Sequence, residues 1–161
     1  MQRPPTPEEL SNAEQAIDAW LADQLAENPV VAAVHKEMDP GGVTRRWYVR
    51  VLGEEKDVFT VWFTLHQRNL HFETYFMPAP EENEAELYEH LLRRNMRVGA
   101  GAFGGIAFAI GVEDAVFLVG ELPVHAVEEV ALDRVLGSLY ACAEQCFRPA
   151  MRIGFRSRFK G

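Results

Sequence analysis

A glycine-rich segment is the first part of this sequence whose residue types and spacing could support chemistry. Residues 99–104 read Gly-Ala-Gly-Ala-Phe-Gly and match the letters of G-x-G-x-x-G, the pattern of dinucleotide-binding loops. That chemistry needs a strand before the glycines and a helix after them, so that the phosphate meets a helix N-terminus. Here the surrounding pattern predicts a helix before the glycines and a strand after them. We therefore interpret residues 99–105 as a hinge or a helix C-terminal loop.

The arginines that precede this segment leave an anion site open as an alternative. The five residues concerned are Arg93, Arg94, Arg97, Gly99 and Gly101. Guanidinium groups and the backbone N–H groups of a glycine-rich loop both bind phosphate. Under this alternative, the 93–105 region would make the protein a sensor of a small molecule or a nucleotide phosphate.

Residues of the types that bind metals cluster around one predicted hairpin. His66, His71 and Glu73 supply two imidazoles and a carboxylate, which could bind a divalent cation. No H-E-x-x-H or similar spacing supports such a site, and polar residues are common at the ends of hairpins. We predict no metal and no cofactor.

The two cysteines lie four residues apart. Cys142 and Cys146 fall on one face of a predicted helix, where the geometry is poor for a disulfide. Two thiols alone do not complete the usual four-ligand zinc site. We interpret both as small hydrophobic core residues.

No motif for covalent catalysis or nucleotide hydrolysis is present. The sequence lacks G-x-S-x-G and G-x-x-x-x-G-K-[ST]. Its serines and its remaining histidines are not arranged as a nucleophile with a neighbouring base. We predict that the protein is not an enzyme, and a hydrolase or other enzyme is the weakest alternative.

Composition and charge restrict the class of partner. The chain has 161 residues, a length typical of one domain, and a formal net charge of −8. An acidic protein is a poor general ligand for nucleic acid. No apolar run reaches the roughly 18 residues that span a bilayer, and the N-terminus lacks the apolar core of a signal peptide. We predict a cytoplasmic protein that binds neither nucleic acid nor membrane.

The C-terminus is basic, unlike the rest of the chain. Residues 148–161 contain no acidic residue and carry these basic ones: Arg148, Arg152, Arg156, Arg158 and Lys160. We divide the chain into a domain at 1–150 and a basic tail at 151–161. The tail could dock on the acidic body or on an acidic partner, or it could be a solvated, partly disordered terminus.

Periodicity predicts an α+β fold with the order α-βββ-α-ββ-α. A capping box at Thr6–Glu9 begins the first helix, and Asn28-Pro29 ends it. The predicted strands cover residues 44–52, 58–65, 70–77, 106–110 and 115–122, with a polar turn at 53–57. The second strand places Phe59, Val61, Phe63 and Leu65 on one face. The second helix begins near 81, with a buried stripe of Leu87, Tyr88, Leu91, Leu92 and Met96, and the third spans about 127–147, before Pro149. Short connections predict an antiparallel sheet of five strands packed with helices. The run 30–34 stays ambiguous between an extended and a single-turn connector.

Both faces of the first three strands carry aromatic residues. One face must pack on the helices, because a sheet needs a covered face to form a core. The other is covered by a second subunit or a bound segment, or else all the aromatics are buried within one monomer. The last predicted strand is apolar on both faces, which favours a central strand buried on both sides.

Several segments resemble the actinobacterial branch of the YbjN family. The two most specific are Met77-Pro78-Ala79-Pro80-Glu81-Glu82-Asn83 and Leu91-Leu92-Arg93-Arg94-Asn95. Further similarity extends over Trp47–Arg50, Asp57–Leu65, Glu113–Glu121 and Leu132–Arg134. The resemblance covers about residues 8–155.

This resemblance implies the fold of type III secretion chaperones, which are small, acidic, usually dimeric proteins that hold extended client segments on apolar patches. It implies no catalytic residues. The sequence therefore predicts a homodimeric, chaperone- or adaptor-like module for an unknown client protein. We expect the client at Trp62, Tyr75 and Phe76, and self-association at Leu92 and Met96 of the second predicted helix.

Overall fold

The computed structural model describes residues 3–42, 44–97 (Arg97 by its backbone only) and 105–159. Its helices are α1 (Pro7–Glu27), α2 (Glu84–Arg97) and α3 (Glu129–Gly154). Its strands are β1 (Val31–Met38), β2 (Arg45–Leu52), β3 (Val58–Leu65), β4 (Asn69–Met77), β5 (Ala107–Ile110) and β6 (Val116–Pro123). The predicted α+β class is confirmed.

The sheet is antiparallel and has six strands in the order β1-β2-β3-β4-β6-β5. The prediction of five strands missed β1. This strand contains residues 31–34 of the run 30–34, which the sequence left ambiguous. This strand pairs with β2 from Val31 to Met38. Only Val31 of this strand is buried, so pairing with β2, rather than its own periodicity, makes it a strand.

The first helix begins as its sequence predicts. Thr6 Oγ1 accepts from Glu9 N at 3.1 Å, and Glu9 Oε1 accepts from Thr6 N at 3.2 Å. These two bonds complete the capping box, and Pro7 occupies the first turn. Because the start of α1 is fixed in this way, its apolar face is aligned with the sheet from Ala13 to Leu21.

The core lies between the helices and one face of the sheet. Alternate residues of β2 and β3 face the helices, so Trp47, Phe59 and Phe63 are buried. Two buried tryptophans find partners for their indole N–H groups on helices: Trp47 Nε1 donates to Asp18 at 2.9 Å, and Trp20 Nε1 donates to Asp133 at 2.7 Å. These bonds remove the penalty of burying an unpaired donor.

The third helix is longer than predicted. The prediction ended it near Phe147, before Pro149, but α3 continues through this proline to Gly154. A proline inside a helix removes one backbone hydrogen bond. Here that cost is offset because Ala150 and Phe155, beyond the proline, are buried. The division that we predicted at residue 150 thus falls inside α3.

Residues after α3 pack against the start of α2. Phe155 is buried, Arg156 Nη2 donates to Glu86 at 3.0 Å, and Ser157 Oγ donates to Glu82 at 2.9 Å. Arg158 pairs with Glu81. The basic C-terminus therefore docks on acidic residues of its own chain as far as residue 159, rather than extending into solvent. We name residues 155–159 the C-terminal clasp.

The edge of the sheet at β5 is closed by a side chain. Asn95 of α2 accepts from Phe108 N at 2.7 Å and donates to Phe108 O at 3.2 Å. Its amide thus occupies the outward-facing backbone groups of Phe108 as a neighbouring strand would. Such blocking protects an edge strand from pairing with another chain.

Candidate functional site

The sheet face opposite the core carries ordered rows of residues. One row crosses the sheet as His35, Tyr48, Trp62, Glu73 and Val119. These five side chains are exposed or half-buried, whereas their neighbours along each strand point to the core. The described helices pack on the core face, so the proposal that all aromatics are buried within the monomer is wrong. We name this opposite side the open face.

The aromatic side chains of the open face pack against one another edge to face. The rings of Tyr48 and Trp62 are 6.5 Å apart at 80°, and those of Tyr75 and Phe117 are 5.7 Å apart at 89°. Edge-to-face pairs fix ring orientation. The face is therefore a preorganised apolar surface.

A groove of about 640 Å³ lies on this face. Its floor is formed by Trp62, Tyr75, Phe117 and Val119. The other lining residues are Arg46, Glu73, Ala109, Ile110, Gly111, Val112, Glu113 and Ala115. We name it the aromatic groove. Its volume lies in the range of ligand sites, which is about 300–1,000 Å³.

The wall of the groove is the turn between β5 and β6, which adopts a costly backbone conformation. Glu113 and Asp114 have φ of 57° and 58°, in the left-handed region that non-glycine residues rarely adopt. A Cβ added at Gly111 would lie 2.6 Å from the Phe117 ring, so the turn must be glycine there to approach the groove floor. The turn leaves Val112 76% exposed at the rim.

A buried lysine lies next to Tyr75 of the groove floor. The Lys56 ammonium lies 5.4 Å from the Tyr75 ring centroid and 5.1 Å from that of Phe147. Burial lowers the pKa of Lys56. We had interpreted residues 53–57 as a plain polar turn, and a single lysine in such a turn gives no sequence signal of burial.

The three residues predicted for the client separate into two groups. Trp62 and Tyr75 line the aromatic groove together. Phe76 lies on the core face, fully buried, with ring centroids 4.9 Å from Phe108 and 5.9 Å from Phe147. Because adjacent strand residues point to opposite faces, Tyr75 and Phe76 do not share a surface. We remove Phe76 from the client residues for this reason.

Two further groove residues, Phe117 and Val119, were missed. The apolar pattern of β6 predicted burial on both faces, but these side chains are only half-buried on the open face. The strand lies between β4 and β5, as a central strand would, yet its outer face is not covered by a described helix. Periodicity does not reveal whether the second face of an apolar strand is covered.

The two residues predicted for self-association are on a second apolar surface. Leu92 and Met96 of α2 are 68% and 79% exposed, although we had placed them in the buried stripe of the helix with Leu87 and Leu91. The latter two are buried. A groove of about 360 Å³ between α2 and β5 is lined by these residues: Tyr88, Leu91, Leu92, Asn95, Phe108, Ala109, Ile110 and Val116. We name this the α2–β5 surface.

The anion alternative falls largely outside the described part of the chain. Arg93 Nη2 donates to Glu89 at 2.9 Å on the exposed side of α2, and Arg94 is half-buried. Burial, together with the nearby Arg94 charge, lowers the pKa of His90. Gly99, Gly101 and the side chain of Arg97 lie outside the described residues. The alternative stays a prediction.

The next residues to place are the histidines and cysteines that were considered as metal ligands. His71 Nε2 is 3.9 Å from Glu73 Oε2, and within residues 3–42, 44–97 and 105–159 no three metal-type ligands cluster. Cys142 and Cys146 are buried and unoxidised. A hydrogen bond with Cys146 and burial raise the pKa of the Cys142 thiol. The cysteines thus lie in the core, where we expected them.

Across the described ranges, none of the helices has both the length and the apolarity needed to cross a membrane.

The fold is that of the type III secretion chaperones. The structure aligns with the chaperone SycH of Yersinia pestis, solved in complex with a stable fragment of YscM2, with a TM-score of 0.52 and 18% sequence identity. The alignment covers 81% of this chain and 96% of SycH. At this identity the likeness establishes the fold alone.

The chain belongs to the YbjN family, whose model is described as a "putative bacterial sensory transduction regulator" and matches residues 17–150. It is 30% identical over 118 residues to the protein Rv0487 of Mycobacterium tuberculosis, covering 73% of this chain and 62% of that one. It is 27% identical over 142 residues to ML2442 of Mycobacterium leprae, covering 86% of this chain and 74% of the relative. The chain thus spans less than two thirds of the length of Rv0487.

Proposed function

We propose that the protein is a non-enzymatic, chaperone- or adaptor-like module that binds a segment of another protein in the aromatic groove. The observation that carries the proposal is the set of half-buried rings that line one groove on the open face, namely those of Trp62, Tyr75 and Phe117. A soluble domain gains stability by covering such rings. Rings that stay half-exposed in an ordered groove are typical of an interaction site.

The residue types of the groove floor fit protein binding. Tryptophan and tyrosine are enriched among the residues that contribute most to protein–protein affinity, because each buries a large area with few torsions to fix. The edge-to-face packing of Tyr75 and Phe117 already fixes these rings. A bound segment therefore loses little free energy to ordering of the floor.

The state of the β5 edge favours binding on the face of the sheet. The amide of Asn95 occupies the outward backbone groups of Phe108, so a partner strand would have to displace it to pair there. A segment that lies across the open face meets no such competitor. The fold shared with SycH, whose structure contains a fragment of a second protein, supports the same class of function.

The first test compares client capture by the wild type and by a Trp62→Ala variant. We expect immobilised wild-type protein to retain a stoichiometric client from native cytosol at low and at high salt. Truncation of a central aromatic residue typically costs about 2 kcal/mol or more of binding free energy, so the variant should retain at least about thirtyfold less. Leu25→Ala, an exposed leucine of α1, serves as the matched control. Equal retention by Trp62→Ala and by the wild type would contradict the proposal.

We further propose that the protein is a homodimer joined through the α2–β5 surface. Leu92, Met96 and Ile110 are exposed apolar side chains on neighbouring elements. Leu92 and Met96 are four residues apart and so lie on the same side of α2. Burying them against a second copy would remove them from water.

Replacing both Leu92 and Met96 with glutamate should convert the dimer to a monomer. Charges at the centre of an apolar interface are costly to desolvate and repel their copies across a two-fold axis. Light scattering coupled to gel filtration measures the mass, and the monomer is 18.2 kDa. Val130→Glu on α3 is the control, because Val130 is 63% exposed and does not line the α2–β5 surface. A wild-type protein that elutes at the monomer mass at micromolar concentration would refute the dimer.

A further inference from the structure

A carboxylate lies in the middle of the aromatic groove. Glu73 is directly opposite Trp62 on β3 and directly opposite Val119 on β6. Opposed residues of antiparallel strands have Cβ atoms about 4.5–5.5 Å apart. On its own strand, Glu73 is two residues from Tyr75, which points to the same face. The Glu73 side chain therefore has Trp62, Tyr75 and Val119 as neighbours on the open face, and it is 40% exposed.

The groove has a second acidic residue and one basic one. Glu113 stands on the wall and is close enough to Tyr75 to contribute, after burial, to the raised pKa of its phenol. Arg46 lies at the opposite side, where its cross-strand neighbours are Glu37 and Thr64. His71 lies 3.9 Å from Glu73 at the margin. The charged residues of the groove lining are therefore Glu73, Glu113 and Arg46, and two of these three are acidic, in a chain whose net charge is −8.

Aromatic rings next to carboxylates form a favourable environment for an organic cation. The faces of tryptophan and tyrosine attract ammonium and guanidinium groups, and a nearby carboxylate adds a direct ion pair. The protein already uses this chemistry beside the groove, where the Lys56 ammonium lies over Tyr75. That contact shows the ring accepting a cation at one side.

We propose that the aromatic groove selects a partner segment that presents a lysine or arginine side chain flanked by apolar residues. The cation would lie against Trp62 and Tyr75 and pair with Glu73, while the flanking residues would pack on Phe117 and Val112. This inference rests on the proposed function and adds the chemistry of the partner. A protein segment is favoured over a free small cation because the groove is about 640 Å³ and much of its lining, including Val112, is apolar.

The test uses four pools of immobilised ten-residue peptides. In each pool the central residue is fixed as lysine, arginine, norleucine or glutamate, and the other positions are equal mixtures of Ala, Leu, Val, Phe, Ser and Thr. Norleucine matches the length of the lysine stem without its charge. We expect the lysine and arginine pools to retain about tenfold more protein than the norleucine pool.

The matched variants are Glu73→Gln and Glu121→Gln. The first removes the carboxylate from the groove with little change in size and should abolish the preference for lysine over norleucine. Glu121 lies on the same sheet face but outside the groove, where it accepts from Asn69 at 3.0 Å, so its variant should keep the preference. Unchanged melting temperatures would show that both variants are folded.

The outcomes separate this inference from the proposed function. Equal retention of all four pools, with loss of retention in Trp62→Ala, would overturn the cation preference and leave the binding groove supported. An unchanged preference in Glu73→Gln would also overturn it. No retention of any pool would count against both proposals. Tetramethylammonium chloride in excess tests the other source of a cation: if it binds with the affinity of the lysine pool, the groove is a small-cation site and the partner segment is wrong.

Discussion

Replacing Phe76 with alanine will lower the free energy of unfolding by about 3–5 kcal/mol. Phe76 is fully buried, and its ring packs edge to face against those of Phe108 and Phe147. Removing it leaves a cavity between β4, β5 and α3, because these elements are held by other contacts and collapse only partly. Urea unfolding followed by tryptophan fluorescence measures the loss.

The matched control is Tyr75→Ala, the neighbouring residue on the opposite face. Tyr75 is half-buried on the open face, so its removal should cost no more than about 2 kcal/mol. Its effect should instead appear in client binding. If Phe76→Ala costs less than Tyr75→Ala, the assignment of the two faces of β4 is wrong.

Ending the chain after Gly154 will lower the free energy of unfolding by about 3 kcal/mol or more. This truncation removes Phe155, which is buried, and with it the rest of the C-terminal clasp. It also removes the backbone N–H and the hydroxyl of Ser157, which both donate to Glu82. The ion pairs of Arg156 with Glu86 and of Arg158 with Glu81 are lost as well. Calorimetry or urea unfolding at constant salt measures the change.

Two variants divide this loss between apolar packing and charge. Phe155→Ala should reproduce most of it, because it removes the buried ring and keeps the arginines. The double replacement of Arg156 and Arg158 with alanine should cost no more than about 1 kcal/mol, since both ion pairs are more than half exposed and screened by water. A larger loss in the arginine variant than in Phe155→Ala would show that charge, not packing, holds the clasp.

The central strands were predictable because their side chains alternate cleanly. Residues 58–65 were predicted as a strand with Phe59, Val61 and Phe63 on one face, and β3 has these bounds and this buried face. The capping box at Thr6 likewise fixed the start of α1 from four residues. In both cases the interactions that determine the element are local, so they can be recognised in the sequence.

The missed features depend on contacts between different elements of the fold. β1 is a strand through its pairing with β2, and α3 continues past Pro149 because residues beyond it are buried against other elements. Lys56 is buried with its ammonium over the rings of Tyr75 and Phe147. These contacts form between different elements, so the periodicity and propensity of a single segment do not report them.

Part of the candidate site was predictable, because strand alternation is visible in the sequence. Trp62 and Tyr75 share a face by strand alternation and adjacent pairing, and the structure places both in the aromatic groove. The groove wall, residues 110–115, lies about 40 residues further along the chain than the floor residues Trp62 and Tyr75. Its two left-handed residues, Glu113 and Asp114, are not glycines, so no glycine at these positions signals the turn conformation in the sequence. Phe76 was assigned to the site because it is aromatic, although alternation already placed it on the other face.

The most direct test of the binding groove is site-specific photo-crosslinking in cells of the source organism that express the protein. A benzoylphenylalanine replaces Val119 on the groove floor, and a second variant carries it at Val130 on α3 as an exposed control. We expect the Val119 probe to form a crosslink to a different protein, mapped by mass spectrometry to one segment, and the Val130 probe to form none. Equal crosslinking at both positions, or a Val119 crosslink only to another copy of this chain, would contradict the account.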